Sequence, residues 1–276
     1  MKWRFGEAVL PLALDVTNSE QVQQVVEQAY AHFGRLDVLV NNAGTSLIAA
    51  TEDASDEQIR DLFDANYLGM VRVLRSALPL LRKQRSGHIL GVSSGLGITS
   101  LPLIGFYCAT KWAVEAMHEA LAQEVRPWGI KVTLVEPAAY ATDFGKSAEI
   151  ANALEPYAEF RRQYLTRLDN IERGNPEATS EAILKLVDAD NPPLRLGLGN
   201  SILPRHGTRI ENALRHGKRG RTSRMRRWAS RRKRWRRGLS NWLMGLSNTH
   251  DVWANPFSQQ ARVAIAKEVV WKTRRP

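Results

Sequence analysis

Four short apolar runs, separated by helix-length amphipathic stretches, constrain this chain more than any other feature. Val9–Val16, Leu36–Val40, His88–Ser94 and Ile130–Glu136 have the length of buried strands. Pro11 would suit the beginning of the first run better than its middle, because proline cannot donate to a sheet. Strand and helix in alternation argue for a parallel sheet covered by helices on both faces. In such sheets ligands bind beyond the carboxyl ends of the strands, where Asp15, Asn42 to Gly44, Ser93, Ser94 and Pro137 stand.

The intervening stretches carry their own punctuation. Asn18 reads as a helix cap with Gln21 three residues on, and the apolar stripe from Val22 to Phe33 stops at Gly34. Ser55-Asp-Glu-Gln58 has capping-box spacing and opens a long helix to about Leu81. Asn66 sits inside that helix's apolar stripe. A buried polar group without partners costs about 1–3 kcal/mol, so Asn66 needs a reason, of which a structural hydrogen bond is the simplest. A further helix starts near Tyr107 and is broken by Pro127-Trp-Gly129. Residues 138–176 lose the pattern and read as an irregular lid or substrate-contact insertion. Pro176-Glu177 starts a last helix, and Leu194–Leu198 reads as a final strand.

Tyr107 and Lys111 are four residues apart, on one face of their helix. A phenol titrates near ~10 and shuttles protons poorly at neutral pH unless a cation stabilises the phenolate. Lys111 is placed to supply that cation, although Tyr-x-x-x-Lys alone is common by chance. Asn41-Asn-Ala-Gly44 ends the second run on small residues that let a ligand approach the backbone, or that simply make a turn.

Composition narrows the setting. The 276 residues suffice for one large α/β domain or two small ones. The single cysteine, Cys108, excludes an internal disulfide and a cysteine-rich metal site, and points to a reduced, cytoplasmic compartment. No stretch approaches the roughly 18 to 20 apolar residues of a membrane span. The net charge of +11 is unevenly shared: residues 1–203 carry 19 Lys+Arg and 25 Asp+Glu, whereas residues 204–276 carry 20 and 3. A domain of residues 1–203 is therefore expected to be joined to a basic segment of a different kind.

Residues 9 to about 203 resemble the short-chain dehydrogenase/reductase family. The likeness rests on Asp15-Val16, Asn41-Asn-Ala-Gly44, Asn66, Val92-Ser-Ser94, Tyr107-x-x-x-Lys111, and Glu136-Pro137 followed by Thr142-Asp-Phe144, in the family's order. It implies a Rossmann-like, doubly wound parallel sheet and hydride transfer between NAD or NADP and a small-molecule secondary alcohol or ketone. Carried over by position, Tyr107 is the general acid/base, Lys111 lowers its pKa and holds the ribose, Ser94 binds the substrate oxygen, and Asn66 completes a proton relay through water. Ser94 is preferred to Ser93 because the family places its serine thirteen residues before the tyrosine. Asp15 and Val16 fall beside the adenine, Asn42, Ala43 and Gly44 beside the cofactor, and Pro137 and Thr142 near the nicotinamide. Similar proteins commonly pair two long helices into homo-oligomers.

Three departures accompany the likeness. The strand, glycine-rich turn and helix that hold a pyrophosphate in such folds have no counterpart before Val9, so the sheet is expected to lack its first two strands. The first visible strand would then have no neighbour and the second would expose an apolar edge, so that poor folding and no dinucleotide binding are expected. Ala138 stands where the family usually has glycine, which is tolerated at negative φ. Residues 205–237 pack 15 Lys+Arg with Trp228 and Trp235. The favoured reading of residues 204–276 is a disordered, frameshifted tail. Nucleic-acid binding by phosphate contacts and stacking, or a cationic membrane helix with Trp228, Trp235 and Trp242 on one face, are less favoured. The alternative to an oxidoreductase is a non-enzymatic remnant associating through that tail.

Overall fold

The computed structural model describes residues 9–199 and 263–264. Four helices follow their sequence signals. Helix α1 (Ser19–Phe33) is capped by the Asn18 side chain, which accepts from Gln21 N, and ends at Gly34 with φ 75°. Helix α2 (Asp56–Phe63) carries the full capping box of Ser55 and Gln58. Helix α4 (Gly105–Glu124) holds Tyr107 and Lys111. Helix α6 (Thr179–Asp188) follows a 3-10 turn at Pro176–Ala178.

The long helix expected from Ser55 to Leu81 is not continuous. Between α2 and α3 (Gly69–Gln84) lies a π-helical turn, Asp64–Leu68, with Asn66 in it. One extra residue per turn re-aims the side chains it carries, and such turns occur frequently at functional sites.

The main sheet is parallel throughout, in the order β6-β4-β3-β1-β7. Its strands are β1 (Val38–Asn41), β3 (Gly87–Val92), β4 (Ile130–Pro137), β6 (Arg195–Leu198) and β7 (Val263–Ala264). β3 and β4 are the central pair, in register from Gly87–Ile130 to Val92–Val135, and both are nearly wholly buried. Helices α1, α3 and α4 bring Val26, Leu74, Leu81, Val114 and Leu121 onto Ile89 and Leu134 to form the core. Burial on both faces explains why these strands read as continuous apolar runs rather than alternating ones.

Two expectations are corrected. Val9–Val16 forms no strand: it runs as irregular backbone into a turn. A strand exists only by hydrogen bonding to a neighbour, and among the described residues none lies beside it, while Pro11 removes one donor. Val16 is nonetheless buried with Val22 and Val73, so the run still contributes to the core. Residues 138–176 are also more regular than expected. They contain a 3-10 turn (Asp143–Ser147), β5 (Glu149–Ile150) paired in parallel with β2 (Leu47–Ile48), and the helix α5 (Glu155–Asp169). A buried ion pair between Asp53 and Arg161 ties α5 to the loop after β2, and Asp53 also accepts from Ala50 N and Leu154 N at 3.0 Å each. Arg161 and Leu154 lie about a hundred residues from Asp53, beyond the reach of periodicity.

The outer edge of β1 is partly covered, by pairing of Val38 and Leu39 with Val263 and Ala264. These two residues come from the segment expected to be disordered. The rest of 204–276, with its nucleic-acid and membrane readings, lies outside the described residues. Ala138 keeps a negative φ and donates to Leu198 O at 2.8 Å, so alanine fits there. Among the described residues no helix is long and apolar enough to cross a membrane.

Two histidines make the core sensitive to acid. His88 shares a hydrogen bond of 3.0 Å with Thr133 Oγ1, and His118 Nδ1 donates to Val114 O at 3.0 Å. Burial is the main cause that pushes each down to about 4. Below the ordinary value of 6.5 the unfolded chain binds protons that the folded one refuses, so stability falls as the pH drops from 6.5 towards 4. The expected loss is about 3 kcal/mol per histidine. Thermal melts across this range should show a falling midpoint whose slope is about halved when His118 is replaced by Gln, and a level profile in the parent would contradict it.

Candidate active site

The residues singled out in the sequence gather at the carboxyl end of the sheet. β3 ends at Val92, and the next two residues diverge in role. The Ser94 hydroxyl accepts from Leu96 N at 3.1 Å and is hydrogen-bonded to the Tyr107 phenol, while Ser93 lies beside Glu115. A strand sends successive side chains to opposite sides, which is why only one of two adjacent serines meets the tyrosine.

Tyr107 and Lys111 stand on the inward face of α4, and both are buried. The Lys111 ammonium lies 5.8 Å from the centre of the Tyr107 ring and donates to Val92 O at 2.9 Å. Burial pushes the Tyr107 phenol up to about 12, against the pull of its Ser94 hydrogen bond. Burial likewise draws Lys111 down to about 8, against the Glu115 carboxylate, which raises it. At neutral pH the pair is therefore a protonated phenol beside an ammonium that gives up its proton more readily than a surface lysine.

Asn66 is fully buried and fully used. Its Oδ1 accepts from Thr45 N at 2.8 Å, and its Nδ2 donates to Thr45 O at 2.9 Å and to Thr110 Oγ1 at 3.1 Å. Thr110 in turn donates to Tyr107 O at 2.8 Å. The amide thus fastens the loop after β1 to the tyrosine helix. This is a structural hydrogen-bond set of the kind an amide in an apolar stripe requires, and both side-chain N–H groups are engaged in it. Thr110 was missed because its role needs the fold, although it lies within the Tyr-x-x-x-Lys stretch.

Gly44 completes the floor. A Cβ there would lie 3.1 Å from Asn66 Oδ1 and 3.6 Å from Lys111 Nζ, so the absence of a side chain keeps the space above these groups open. Val16 and Ala43 pack in one apolar cluster, which brings Asp15-Val16 and Asn42–Gly44 together. Asp15 and Asn42 are exposed, and Asp15 Oδ1 accepts from Thr17 N at 2.8 Å. Pro137 ends β4 opposite Leu198. Thr142 is exposed at the head of the turn whose Phe144 ring stands 5.8 Å from that of Tyr107.

Two observations bear on whether a nicotinamide dinucleotide fits. The open space over Gly44 borders Lys111, and Asn41 Nδ2 is a buried donor without a protein partner at the carboxyl end of β1. Both suit the ribose and nicotinamide end of such a molecule. The glycine-rich strand–turn–helix that holds a pyrophosphate is not among the described residues.

A family model described as short chain dehydrogenase matches residues 2–152. The 3-ketodihydrosphingosine reductase of Bacteroides thetaiotaomicron is 40% identical over 193 residues, covering 68% of this chain and 72% of the relative. A short-chain dehydrogenase structure from Streptomyces avermitilis superposes with a TM-score of 0.69 at 35% identity, covering 75% of this chain and 77% of that one. An alcohol dehydrogenase from Thermococcus sibiricus, complexed with 5-hydroxy-NADP, gives a TM-score of 0.56 at 26% identity, over 68% and 73% of the two chains.

Proposed function

Because this chain belongs to the short-chain dehydrogenase family, we propose that its site interconverts a secondary alcohol and a ketone, with Tyr107 as general acid/base. The family assignment makes it an NAD(P)-dependent oxidoreductase. The observation that carries the residue roles is the convergence of the Ser94 hydroxyl, the Tyr107 phenol and the Lys111 ammonium in one buried corner.

When bound, the nicotinamide supplies or takes the hydride. Everything else falls to the chain. Ser94 holds the substrate oxygen, and Tyr107 passes its proton to that oxygen in reduction or takes it in oxidation. A phenol held protonated is already in the state that ketone reduction requires. Lys111 favours the phenolate once the proton has left, and with Asn42, Ala43 and Gly44 it borders the ribose. Asp15 and Val16 are assigned to the adenine side, and Pro137 and Thr142 to the nicotinamide amide. Asn66 acts by holding the loop of Gly44 against the tyrosine helix. The reading treats the domain to about residue 203 as the oxidoreductase.

The test is a spectrophotometric assay of the full chain with NADH and NADPH against a panel of ketones, and with the oxidised cofactors against secondary alcohols. Substrate-dependent change with at least one cofactor is expected. A flat trace throughout the panel, at cofactor concentrations well above ordinary dissociation constants, would sink the reading.

A further inference from the structure

Next to Lys111 on α4 begins a cluster of charges that the reaction as described does not use. Glu115 follows Lys111 by one helical turn on α4, and both are nearly wholly buried, at 5% and 3% exposure. Arg195 on β6 reaches across to it, with Nε 2.9 Å from Glu115 Oε2, and the same guanidinium meets Glu119 at 2.6 Å and Glu136 at 3.4 Å. Gly97 admits this arrangement. A Cβ there would lie 2.5 Å from Ser93 Oγ, 3.0 Å from Glu115 Cγ and 3.2 Å from Lys111 O. The carboxylate, the adjacent serine and the lysine backbone therefore close on one point.

A buried carboxylate costs several kcal/mol unless it is paired and hydrogen-bonded. Glu115 is held by Arg195, yet its carboxyl is pushed above the usual carboxylate range, chiefly by burial and against the pull of Ser93 and Arg195. A residue kept at such a site needs a consequence, and the nearest is the lysine one turn before it. Residues four apart on a helix are neighbours, and an opposite charge at that range favours the ionised form of a buried amine.

We infer that Glu115, oriented by Arg195, is a positioning residue that keeps the Lys111 ammonium charged where burial would neutralise it. The inference rests on the reading of Tyr107 and Lys111 as the reacting pair, through which Glu115 acts without touching substrate. The groups that face the pair are few. Glu115 faces Arg195 from β6, Glu136 from β4, Ser93 after β3, and Lys111 and Glu119 on its own helix. Lys111 faces Tyr107 and Glu115, with its charge also felt by His118.

The sign follows directly. Loss of the carboxylate lowers the pH at which Lys111 gives up its proton, by about one unit for opposite charges a helical turn apart. Lysine 13Cε resonances of the labelled full chain, with Lys111 assigned by its loss in Lys111→Met, read this titration without cofactor or substrate. Glu115→Gln should move the Lys111 midpoint down by about one pH unit, a tenfold rise in the proton concentration at half-titration, Glu115→Asp should restore most of it, and Glu119→Gln, whose carboxylate is half exposed, should leave it in place. Where Glu115→Gln fails to fold, Glu115→Met removes the carboxylate with an apolar side chain of similar volume while Arg195 keeps Glu119 and Glu136 as partners, and the same downward shift is expected. An unmoved Lys111 midpoint in a folded variant would overturn the inference. In the alcohol-oxidation assay the alkaline limb of kcat/KM should fall earlier in Glu115→Gln. If the titration moves and no turnover is found in any variant or in the parent, the reaction reading fails and the electrostatic role of Glu115 stands.

Discussion

Replacing Tyr107 with phenylalanine should abolish turnover while leaving the fold intact. The substitution removes one oxygen from a ring that otherwise packs with Leu47, Ala49, Leu62 and Ala151. Positioned general acid/base groups contribute about 10²–10⁴-fold, and among the described residues no other phenol, imidazole or carboxylate is seen to share the Ser94 hydrogen bond. The unfolding midpoint should change little, because at neutral pH the phenol is protonated in the folded and unfolded chains alike and the hydroxyl has one resolved partner to lose. Measurement of kcat/KM alongside a thermal melt decides the matter. Parent-like activity would remove Tyr107 from the mechanism, and collapse of the fold would show that its hydroxyl has a structural duty.

Replacing Lys111 with methionine should separate activity from stability even more sharply. The ammonium is the cation beside the phenol, so its loss should cost about 10²-fold or more in turnover. Stability should move the other way at neutral pH. The folded-state pKa of Lys111, drawn down to about 8, lies below its ordinary 10.5. Below about 8 both folded and unfolded chains hold the proton and the burial penalty is fully present. As the pH rises from 8 to 10.5 the folded chain releases it first, and stability rises. Methionine keeps all but the last atom of the side chain's length and removes the penalty, at the loss of the bond to Val92 O. A net gain of the order of 1 kcal/mol is expected at neutral pH, shrinking above pH 8. An inactive but more stable variant is the expected outcome, and a destabilised one would mean that the Val92 bond outweighs desolvation.

These two side chains were legible before the fold because helical spacing is a local rule. So were the caps of α1 and α2, where a side-chain oxygen has to meet an amide only three residues away. Asn66 was legible as an anomaly and not as a solution: periodicity put an amide in an apolar stripe, while its partners Thr45 and Thr110 lie 21 and 44 residues distant. The apolar content of Val9–Val16 was read correctly and its strand character was not, since strand character belongs to a pair of segments. Helix α5 escaped notice for a related reason. Its apolar face is weak, and it is held by Arg161 reaching Asp53 across 108 residues.

What the sequence alone determined about this protein is the class of fold and the placing of Tyr107 and Lys111 on one helix face. Both rest on short-range periodicity: apolar runs that must be buried on two faces, and a phenol and an amine that a helix necessarily stacks. The tertiary structure decided the environment of that pair. Burial drives Tyr107 and Lys111 towards their neutral forms, one of two adjacent serines turns to the phenol, and Glu115, one helical turn from the lysine, is paired with an arginine 80 residues away. Charge state depends on desolvation and on partners brought together through space, and neither can be read from spacing along the chain.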